Sequence, residues 1–266
     1  MSPSDLEFLC ALVRARSGLV LTGERGFFAE TRLGPLARRE GAASVDELVQ
    51  RVKTAGDDRL MRAVVEAMLI QETAFFRDRD VFAAIGSSVL PALAAAHGTV
   101  RVWSAGCAFG QEPYSLAMMA ADGEAAIDLD IFASDLSAAA LEKAESGLYT
   151  HFEVQRGLPI RSLLRHFEPV DDAWRISPRL RQKVRWRRLN LVDDFRVPQP
   201  FDLILCRNVL AAFYPPTRDK VLERLDASLA AGGWLVLGSD EPAPPGYIAA
   251  GPAGVFRRKM ALVAAA

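Results

Sequence analysis

The chain has 266 residues, half of them hydrophobic, with 32 basic and 33 acidic side chains and a formal net charge of -1. This composition excludes an intrinsically disordered chain and disfavours a strongly basic nucleic-acid-binding protein. No apolar run approaches the roughly 20 residues of a membrane span, and the scattered Cys10, Cys107 and Cys206 form no disulfide or zinc pattern, so we expect a cytoplasmic protein without membrane insertion or structural metal.

Residues 1–75 are predicted to form a small domain that is entirely helical. Four helices are predicted, over Ser4–Arg16, Phe27–Glu40, 44–54 and Asp57–Ile70. Capping residues mark the starts of the first and third, at Ser4 and Ser44, and apolar residues recur at helical spacing. The second helix, Phe27–Glu40, is rich in arginine. Two interpretations of its basic face stay open: contact with an acidic partner, and simple solvation.

The pattern changes at Val100, where short apolar runs begin to alternate with helical stretches. The predicted strands are Val100–Ser104, Leu129–Ser134, Val184–Leu189, Phe201–Cys206 and Trp234–Gly238. The predicted helices between them are Glu112–Ala121, Ala138–Glu145 and Pro216–Leu229. This alternation indicates an α/β domain, residues 76–266, with a mainly parallel and doubly wound sheet.

Four unusual segments follow predicted strands, and ligands of open parallel sheets bind beyond the carboxyl ends of the strands. The first is the small-residue loop from Trp103 to Gly110, which includes Gly106 and is followed by Glu112. Such a loop lets a ligand approach the backbone, and a carboxylate at a helix start suits an ammonium group rather than a phosphate. An ordinary turn, with Glu112 complementing the helix dipole, explains the same residues.

The second segment ends in Asp135, at the place where an acidic side chain accepts the hydroxyls of a ribose in dinucleotide-binding folds. The alternative is a helix cap, with Asp135 or Ser137 beginning the following helix. The third segment is Asn190-Leu191, whose amide pairs well with an adenine edge and also suits a simple turn.

The fourth segment, Arg207-Asn208, ends a buried strand with polar groups, which suits a cleft or a surface loop. Taken together, the four segments indicate a nucleoside that carries a cationic amino-acid group and no phosphate. S-adenosylmethionine meets this description better than NAD or ATP does.

Five stretches carry a resemblance that extends from about Leu6 to Lys259. They are residues 71–78 (QETAFFRD), residues 102–115 (which begin VWSAGC and end EPYS), residues 152–159 (FEVQRGLP), residues 201–210 (which begin FD and end CRNVL) and residues 232–238 (which begin and end with glycine). In these stretches the sequence resembles the chemotaxis receptor methyltransferases of the CheR type. The resemblance implies a helical N-terminal domain followed by a Rossmann-like methyltransferase domain with a short hairpin insertion at about 165–185.

The implied reaction moves a methyl group from S-adenosylmethionine to glutamate side chains on the cytoplasmic helices of chemoreceptors. Its products are a γ-glutamyl methyl ester and S-adenosylhomocysteine. The implied cofactor-binding residues are Gln71, Thr73, Arg77, Gly106, Glu112, Asp135, Asn190, Leu191, Arg207 and Asn208. Thr73 and Arg77 would lie at the methionine end, Glu112 at the amino group and Asp135 at the ribose.

The chemistry requires no general base, because a glutamate with a pKa near ~4.3 is already an anion at neutral pH. Alignment of the reacting atoms and exclusion of water are sufficient. Arg77 is therefore the candidate catalytic residue, as an orienting group for the acceptor carboxylate or the cofactor carboxyl. A salt bridge at a helix end or between the domains is the alternative explanation for Arg77.

Two departures from the family pattern concern turnover. Phe109 stands in the loop where the family has a small residue, and Ala212 stands where the family has a tyrosine, with Tyr214 two positions later. The alternative function is therefore a catalytically weakened regulatory or interaction module of a chemosensory array. An active enzyme with a different acceptor also stays open.

The expected partner is a chemoreceptor and not a nucleic acid. The segment Phe167–Ile176 is shorter than the hairpin with which some family members hold a tethering peptide, so we expect no such tether. We expect a monomer.

Overall fold

The computed structural model describes residues 1–123 and 127–259, so the last seven residues of the predicted second domain lie outside the described range. The chain forms two compact units that divide between Ile70 and Gln71, whereas the predicted boundary follows residue 75. The first unit also contains two later segments, Asn190–Val192 and Ala212–Val221.

The first unit is built on four helices, as predicted. They are α1 (Pro3–Ser17), α2 (Arg25–Arg39), α3 (Val45–Ala55) and α4 (Asp58–Ala67). Ser44 and Asp57 cap α3 and α4 with their side chains. The predicted cap at Ser4 is wrong: Ser2 caps α1 by accepting from the Asp5 amide, because Pro3 already suits the first helical turn, where its missing N–H costs nothing.

The core of this unit comes from the apolar stripes of the helices. Leu9, Leu33, Leu48 and Met68, one from each helical region, are completely buried in one cluster. Burial of this kind stabilises short helices that propensity alone would leave marginal in water.

The second unit alternates strands and helices. Its strands are β1 (Val100–Ala105), β2 (Leu129–Asp135), β3 (Leu148–Thr150), β4 (Phe167–Val170), β5 (Ala173–Ile176), β6 (Val184–Arg188), β7 (Phe201–Leu205), β8 (Leu229–Val236), β9 (Tyr247–Ala249) and β10 (Val255–Arg258). Its helices are α5 (Arg79–Ala84), α6 (Leu90–His97), α7 (Gln111–Asp122), α8 (Ala138–Ser146), α9 (His151–Gln155), α10 (Ile160–His166), α11 (Pro178–Arg181) and α12 (Pro215–Ala227), the last of which begins in the first unit.

Within the described residues, the main sheet has seven strands in the order β6-β2-β1-β7-β8-β10-β9. The five strands from β6 to β8 are parallel, and β10 runs antiparallel to both its neighbours. The predicted fold class, an α/β unit with a mainly parallel and doubly wound sheet, is therefore confirmed. The carboxyl ends of β1, β2 and β7 meet at one edge, which is where the candidate site lies.

A second, three-stranded antiparallel sheet has the order β3-β5-β4. Its β4–β5 hairpin spans Phe167–Ile176 and turns through Asp171, which has a positive φ of 48°. This hairpin lies within the region, residues 165–185, that the resemblance implied.

One helical stretch, Arg79–His97, is long and apolar enough to cross a membrane by length and composition alone, although it is not an unbroken apolar run, since it begins with Arg79 and Asp80. It consists of α5, a π-helical turn (Ile85–Val89) and α6. Ile85, Val89 and Leu90 are buried in the main core of the unit. A helix that packs one face against the core of its own domain ordinarily has such an apolar composition.

Candidate functional site

The loop between β1 and α7 forms the floor of the site. Three of its residues have positive φ angles, Gly106 at 78°, Ala108 at 48° and Gly110 at 88°. A Cβ on Gly106 would lie 2.5 Å from the Val209 side chain, and one on Gly110 would lie 2.8 Å from Ala144 Cβ. Neighbouring side chains, and not only a ligand, therefore require these two glycines.

Arg207 is buried and lies at the centre of an ionic network. Its Nη1 donates to Glu112 Oε2 at 3.1 Å, and its Nη2 donates to Asp78 Oδ2 at 2.5 Å and to the Arg77 carbonyl at 2.9 Å. The other Glu112 oxygen accepts from Ser104 Oγ at 2.8 Å. Glu112 is thus part of a charged cluster and does more than complement the dipole of α7.

Asp135 ends β2 with a carboxylate that is almost completely buried. Its Oδ2 accepts from the Ala108 amide at 2.8 Å, and its Oδ1 accepts from the Ser137 amide at 2.9 Å and from Gln71 Nε2 at 3.2 Å. Burial raises the pKa of Asp135, because desolvation disfavours the charged form, and the two amides act in the opposite direction. Of the two predicted caps, Ser137 is the one that caps α8.

The segment Gln71–Asp78 lies against this edge of the sheet. Thr73 and Arg77 line a cavity of about 30 Å³ together with Gly106, Glu112, Arg207 and Asn208. The structure therefore brings six of the ten predicted cofactor-binding residues to one cavity. Gln71 joins them through its hydrogen bond to Asp135.

Asn190 and Leu191 group with the helical unit and do not line this cavity. The Asn190 amide donates to the Arg16 carbonyl at 2.9 Å, and its oxygen accepts from the Val192 amide at 3.3 Å. This is the geometry of the turn that was the alternative explanation. Recognition of adenine by Asn190 and Leu191 stays a prediction.

The two departures from the family pattern are not among the residues that line the cavity. Lys143 Nζ lies 4.9 Å from the centre of the Phe109 ring, and Phe109 does not line the cavity. Ala212 packs on the helical core, where its carbonyl accepts from the Val20 amide. The Tyr214 ring lies beneath the guanidinium of Arg14, 5.4 Å away.

Three further residues shape the site and were missed by sequence reasoning. Asp78 and Ser104 complete the network around Arg207 and Glu112, and the Tyr149 hydroxyl donates to the Phe109 carbonyl at 2.8 Å. Asp78 and Ser104 lie inside the stretches 71–78 and 102–115, which carry the family resemblance, and this position could have identified them as site residues. Tyr149 lies in neither stretch, and only its burial beside the loop reveals it.

Unpartnered buried atoms show what kind of ligand the site fits. Gln71 Oε1, Gln111 Oε1 and Arg207 Nε are buried without a hydrogen-bond partner within the described ranges. Gln71 contacts Asp135 and Arg207 contacts Glu112, so a free acceptor and a free cationic donor beside these two carboxylates suit the hydroxyls and the carboxylate of S-adenosylmethionine. No group of three or more residues that could hold a metal ion occurs in the described part of the chain.

Comparison with known proteins agrees with this geometry. Residues 4–69 match the family described as CheR methyltransferase, all-alpha domain, and residues 71–246 match CheR methyltransferase, SAM binding domain. The chain is 36% identical over 247 residues to chemotaxis protein methyltransferase 1 of Pseudomonas aeruginosa, covering 90% of each chain. It is 33% identical over 246 residues to chemotaxis protein methyltransferase 1 of Vibrio cholerae, again covering 90% of each.

Proposed function

Because the chain belongs to the CheR methyltransferase family, we propose that it methylates glutamate side chains on the cytoplasmic helices of chemoreceptors, as a step in chemotaxis adaptation. The cofactor is S-adenosylmethionine, since the family domain that spans residues 71–246 is a SAM-binding domain. The product would be a γ-glutamyl methyl ester.

Glu112 and Arg207 would hold the amino-acid end of the cofactor. Each Glu112 oxygen already accepts one hydrogen bond and has a second lone pair for an ammonium donor. The free Nε of Arg207 is a donor for the cofactor carboxylate. Gln71 Oε1 and Asp135 would accept from the ribose hydroxyls.

The bound cofactor supplies an electrophilic methyl group on a sulfonium. Arg77 Nη1 donates to the Glu72 carbonyl at 3.1 Å, which leaves the other guanidinium nitrogens for an incoming carboxylate. Arg77 would therefore orient the acceptor glutamate, which needs no base because it is ionised at neutral pH. The buried surroundings of Arg207 and Glu112 would favour a reaction in which opposite charges neutralise each other.

The observation that carries this proposal is the cluster of polar side chains around this cavity, and not its volume of about 30 Å³. It combines a buried carboxylate–guanidinium pair with the linker residues Thr73 and Arg77, beyond the ends of parallel strands.

Calorimetric titration with S-adenosylhomocysteine tests the cofactor site. We expect micromolar binding, weakened about tenfold or more by Glu112→Ala and by Asp135→Ala, because each removes a charged hydrogen-bond acceptor. Glu168→Ala, an exposed carboxylate on β4, is the matched control. Absence of binding by the folded wild-type protein would overturn the cofactor assignments.

Transfer of labelled methyl groups to a purified receptor cytoplasmic fragment tests the reaction. Base-labile label on the fragment is the expected result, and Arg77→Ala should lower kcat more than the affinity for S-adenosylhomocysteine. Tight cofactor binding without methyl transfer would favour the alternative, a regulatory module. The position of Phe109 outside the cavity lining favours the enzyme.

The remaining properties belong to the same proposal. We propose that the protein works in the cytoplasm as a monomer, without membrane insertion and without nucleic acid. The short β4–β5 hairpin supports recognition of receptors that lack a tethering peptide.

A further inference from the structure

A larger cavity lies beside the candidate cofactor site. Its volume is about 510 Å³, and its lining is mainly apolar, from Phe76, Phe82, Met119, Gly157 and Pro159, with Arg79 as its charged member. Gly157 and Pro159 belong to the FEVQRGLP stretch, for which the proposed function has so far given no role. We call this cavity the side groove.

The side groove and the cofactor cavity are lined by neighbouring residues. Phe82 lies in its wall, and the guanidinium of Arg207, which lines the cofactor cavity, lies 5.5 Å from the centre of the Phe82 ring. Phe76 lines the groove, and the next residue, Arg77, lines the cofactor cavity. A chain lying in the groove would therefore pass next to the reacting centre.

Helix α10 begins directly after Pro159 and extends the apolar surface. Ile160 and Leu164 are 65% and 71% exposed, which is unusual for large apolar side chains. They are four residues apart on the helix, so they lie on one face at about one helical turn of separation. Exposed apolar side chains at this spacing match the apolar positions of a partner helix.

Cations border this apolar surface. Arg79 and Arg161 are exposed and have no carboxylate within salt-bridge distance in the described ranges, whereas Arg156 and Arg165 are paired with Glu72 and Asp122. The exposed acidic residues next to Arg79 in the chain are Asp80 and Asp78, and Asp78 is paired with Arg207. Two unpaired arginines beside an apolar surface favour a partner with both acidic and apolar side chains.

We propose that the side groove and the exposed face of α10 dock an acidic, amphipathic helix of the chemoreceptor, the helix that carries the acceptor glutamate. This inference rests on the proposed function and adds to it the surface that receives the substrate. Apolar side chains of the receptor helix pack on Phe76, Pro159, Ile160 and Leu164. Its carboxylates pair with Arg79 and Arg161.

The test compares groove variants with matched variants elsewhere on the same unit. The groove variants are the double change Arg79→Glu with Arg161→Glu, and the single change Leu164→Asp. The controls are Arg175→Glu with Arg187→Glu, two exposed arginines of β5 and β6, and Ile248→Asp on β9, which is 49% exposed. All these side chains are exposed, and each variant is first titrated with S-adenosylhomocysteine to verify the folded cofactor site.

The substrate probe is a purified chemoreceptor cytoplasmic fragment, labelled for fluorescence anisotropy and also used as methyl acceptor. We expect both groove variants to raise the Kd and the KM for the fragment about tenfold or more, with the affinity for S-adenosylhomocysteine within about twofold of wild type. The control variants should leave all three constants within about twofold.

Unchanged Kd and KM in both groove variants would overturn the docking surface, and so would equal losses in the controls. Binding of the fragment by the groove without methyl transfer would instead overturn the proposed reaction and leave the docking surface standing. A wild-type protein that neither binds nor methylates the fragment would overturn both.

Discussion

At the residue scale, the site depends on a few buried polar groups with several partners each. Asp135 is the clearest of them, because it connects Gln71, the cofactor loop at Ala108 and the start of α8 at Ser137. Its carboxylate is held by amides and not by a cation. Burial is therefore the dominant influence on its pKa, and the pKa is raised.

The raised pKa of Asp135 predicts a pH dependence of cofactor binding. As the pH falls, Asp135 in the folded protein takes up a proton at a pH above 3.8, the ordinary pKa of the side chain. The protonated carboxyl group has lost an acceptor site for a ribose hydroxyl. The affinity for S-adenosylhomocysteine should therefore fall as the pH is lowered through this raised pKa. Calorimetric titrations over a pH series measure this dependence. We expect it to disappear in Asp135→Asn, which has no carboxyl group to titrate at this position. An identical pH profile in that variant would contradict the role.

Arg207 is the second residue on which the site depends. Its guanidinium contacts Glu112, Asp78 and the Arg77 carbonyl at once, and a lysine ammonium cannot reproduce that planar arrangement. Arg207→Lys should weaken S-adenosylhomocysteine binding about tenfold or more, since it leaves a buried carboxylate partly unpaired. Calorimetry measures the loss, and the exposed Arg187→Lys is the control. Wild-type affinity in Arg207→Lys would argue against the network.

At the element scale, the linker segment Gln71–Asp78 is held by backbone contact as much as by side chains. Gly157 has a φ of +88°, and a Cβ there would lie 2.1 Å from the Phe75 carbonyl oxygen. The loop after α9 therefore packs directly on the linker that carries Thr73 and Arg77. Glycine is the residue that permits both this conformation and this approach.

Gly157→Ala should consequently separate the loop from the linker. We expect a lower free energy of unfolding, by about 1–3 kcal/mol for a strained backbone and a steric overlap, together with a lower affinity for S-adenosylhomocysteine. Chemical denaturation and calorimetry measure the two effects. Gly23→Ala is the control, because Gly23 also has a positive φ, of 70°, and has nothing within 4 Å of its Cβ position. Equal losses of stability in Gly157→Ala and Gly23→Ala would show that the positive φ alone, and not the close approach to Phe75, causes the loss.

The small antiparallel sheet supports the cofactor loop through Tyr149. This residue of β3 is completely buried, lies 5.0 Å edge-to-face from the Phe75 ring, and donates its hydroxyl hydrogen to the Phe109 carbonyl. Tyr149→Phe should lower the free energy of unfolding by about 1 kcal/mol and weaken S-adenosylhomocysteine binding by several-fold, because it leaves a loop carbonyl unpaired. A stability loss without any change in affinity would make Tyr149 a packing residue only.

At the scale of the whole molecule, the two compact units have separate cores, and the cofactor cavity belongs to the second. The four tryptophans, Trp103, Trp174, Trp186 and Trp234, all lie in this second unit. Intrinsic fluorescence therefore follows the unfolding of the cofactor-binding unit selectively.

A ligand that binds only the folded state stabilises it by mass action. S-adenosylhomocysteine at a hundred times its Kd should raise the free energy of unfolding followed by tryptophan fluorescence by about 2.7 kcal/mol. Glu112→Ala at the same ligand concentration should gain less, in proportion to its weaker binding. A wild-type unfolding transition that does not respond to the ligand would contradict the cofactor site.

Much of the fold was predictable, because its signals are local. Helical periodicity and caps located all four N-terminal helices, and short apolar runs located the five parallel strands within a few residues, apart from β8, which begins at Leu229 and not at Trp234. One local prediction was wrong: the first helix is capped by Ser2 rather than Ser4.

The sequence by itself determined the fold class, the family and the positions of polar residues at strand ends, since period, composition and motif spacing are properties of neighbouring residues. Only the tertiary structure decided what those residues contact. Asp135 accepts from the cofactor loop, Asn190 is used in a turn of the helical unit, and Phe109 lies under Lys143. These contacts join residues far apart in the chain, and no local pattern records which of them packing will bring together.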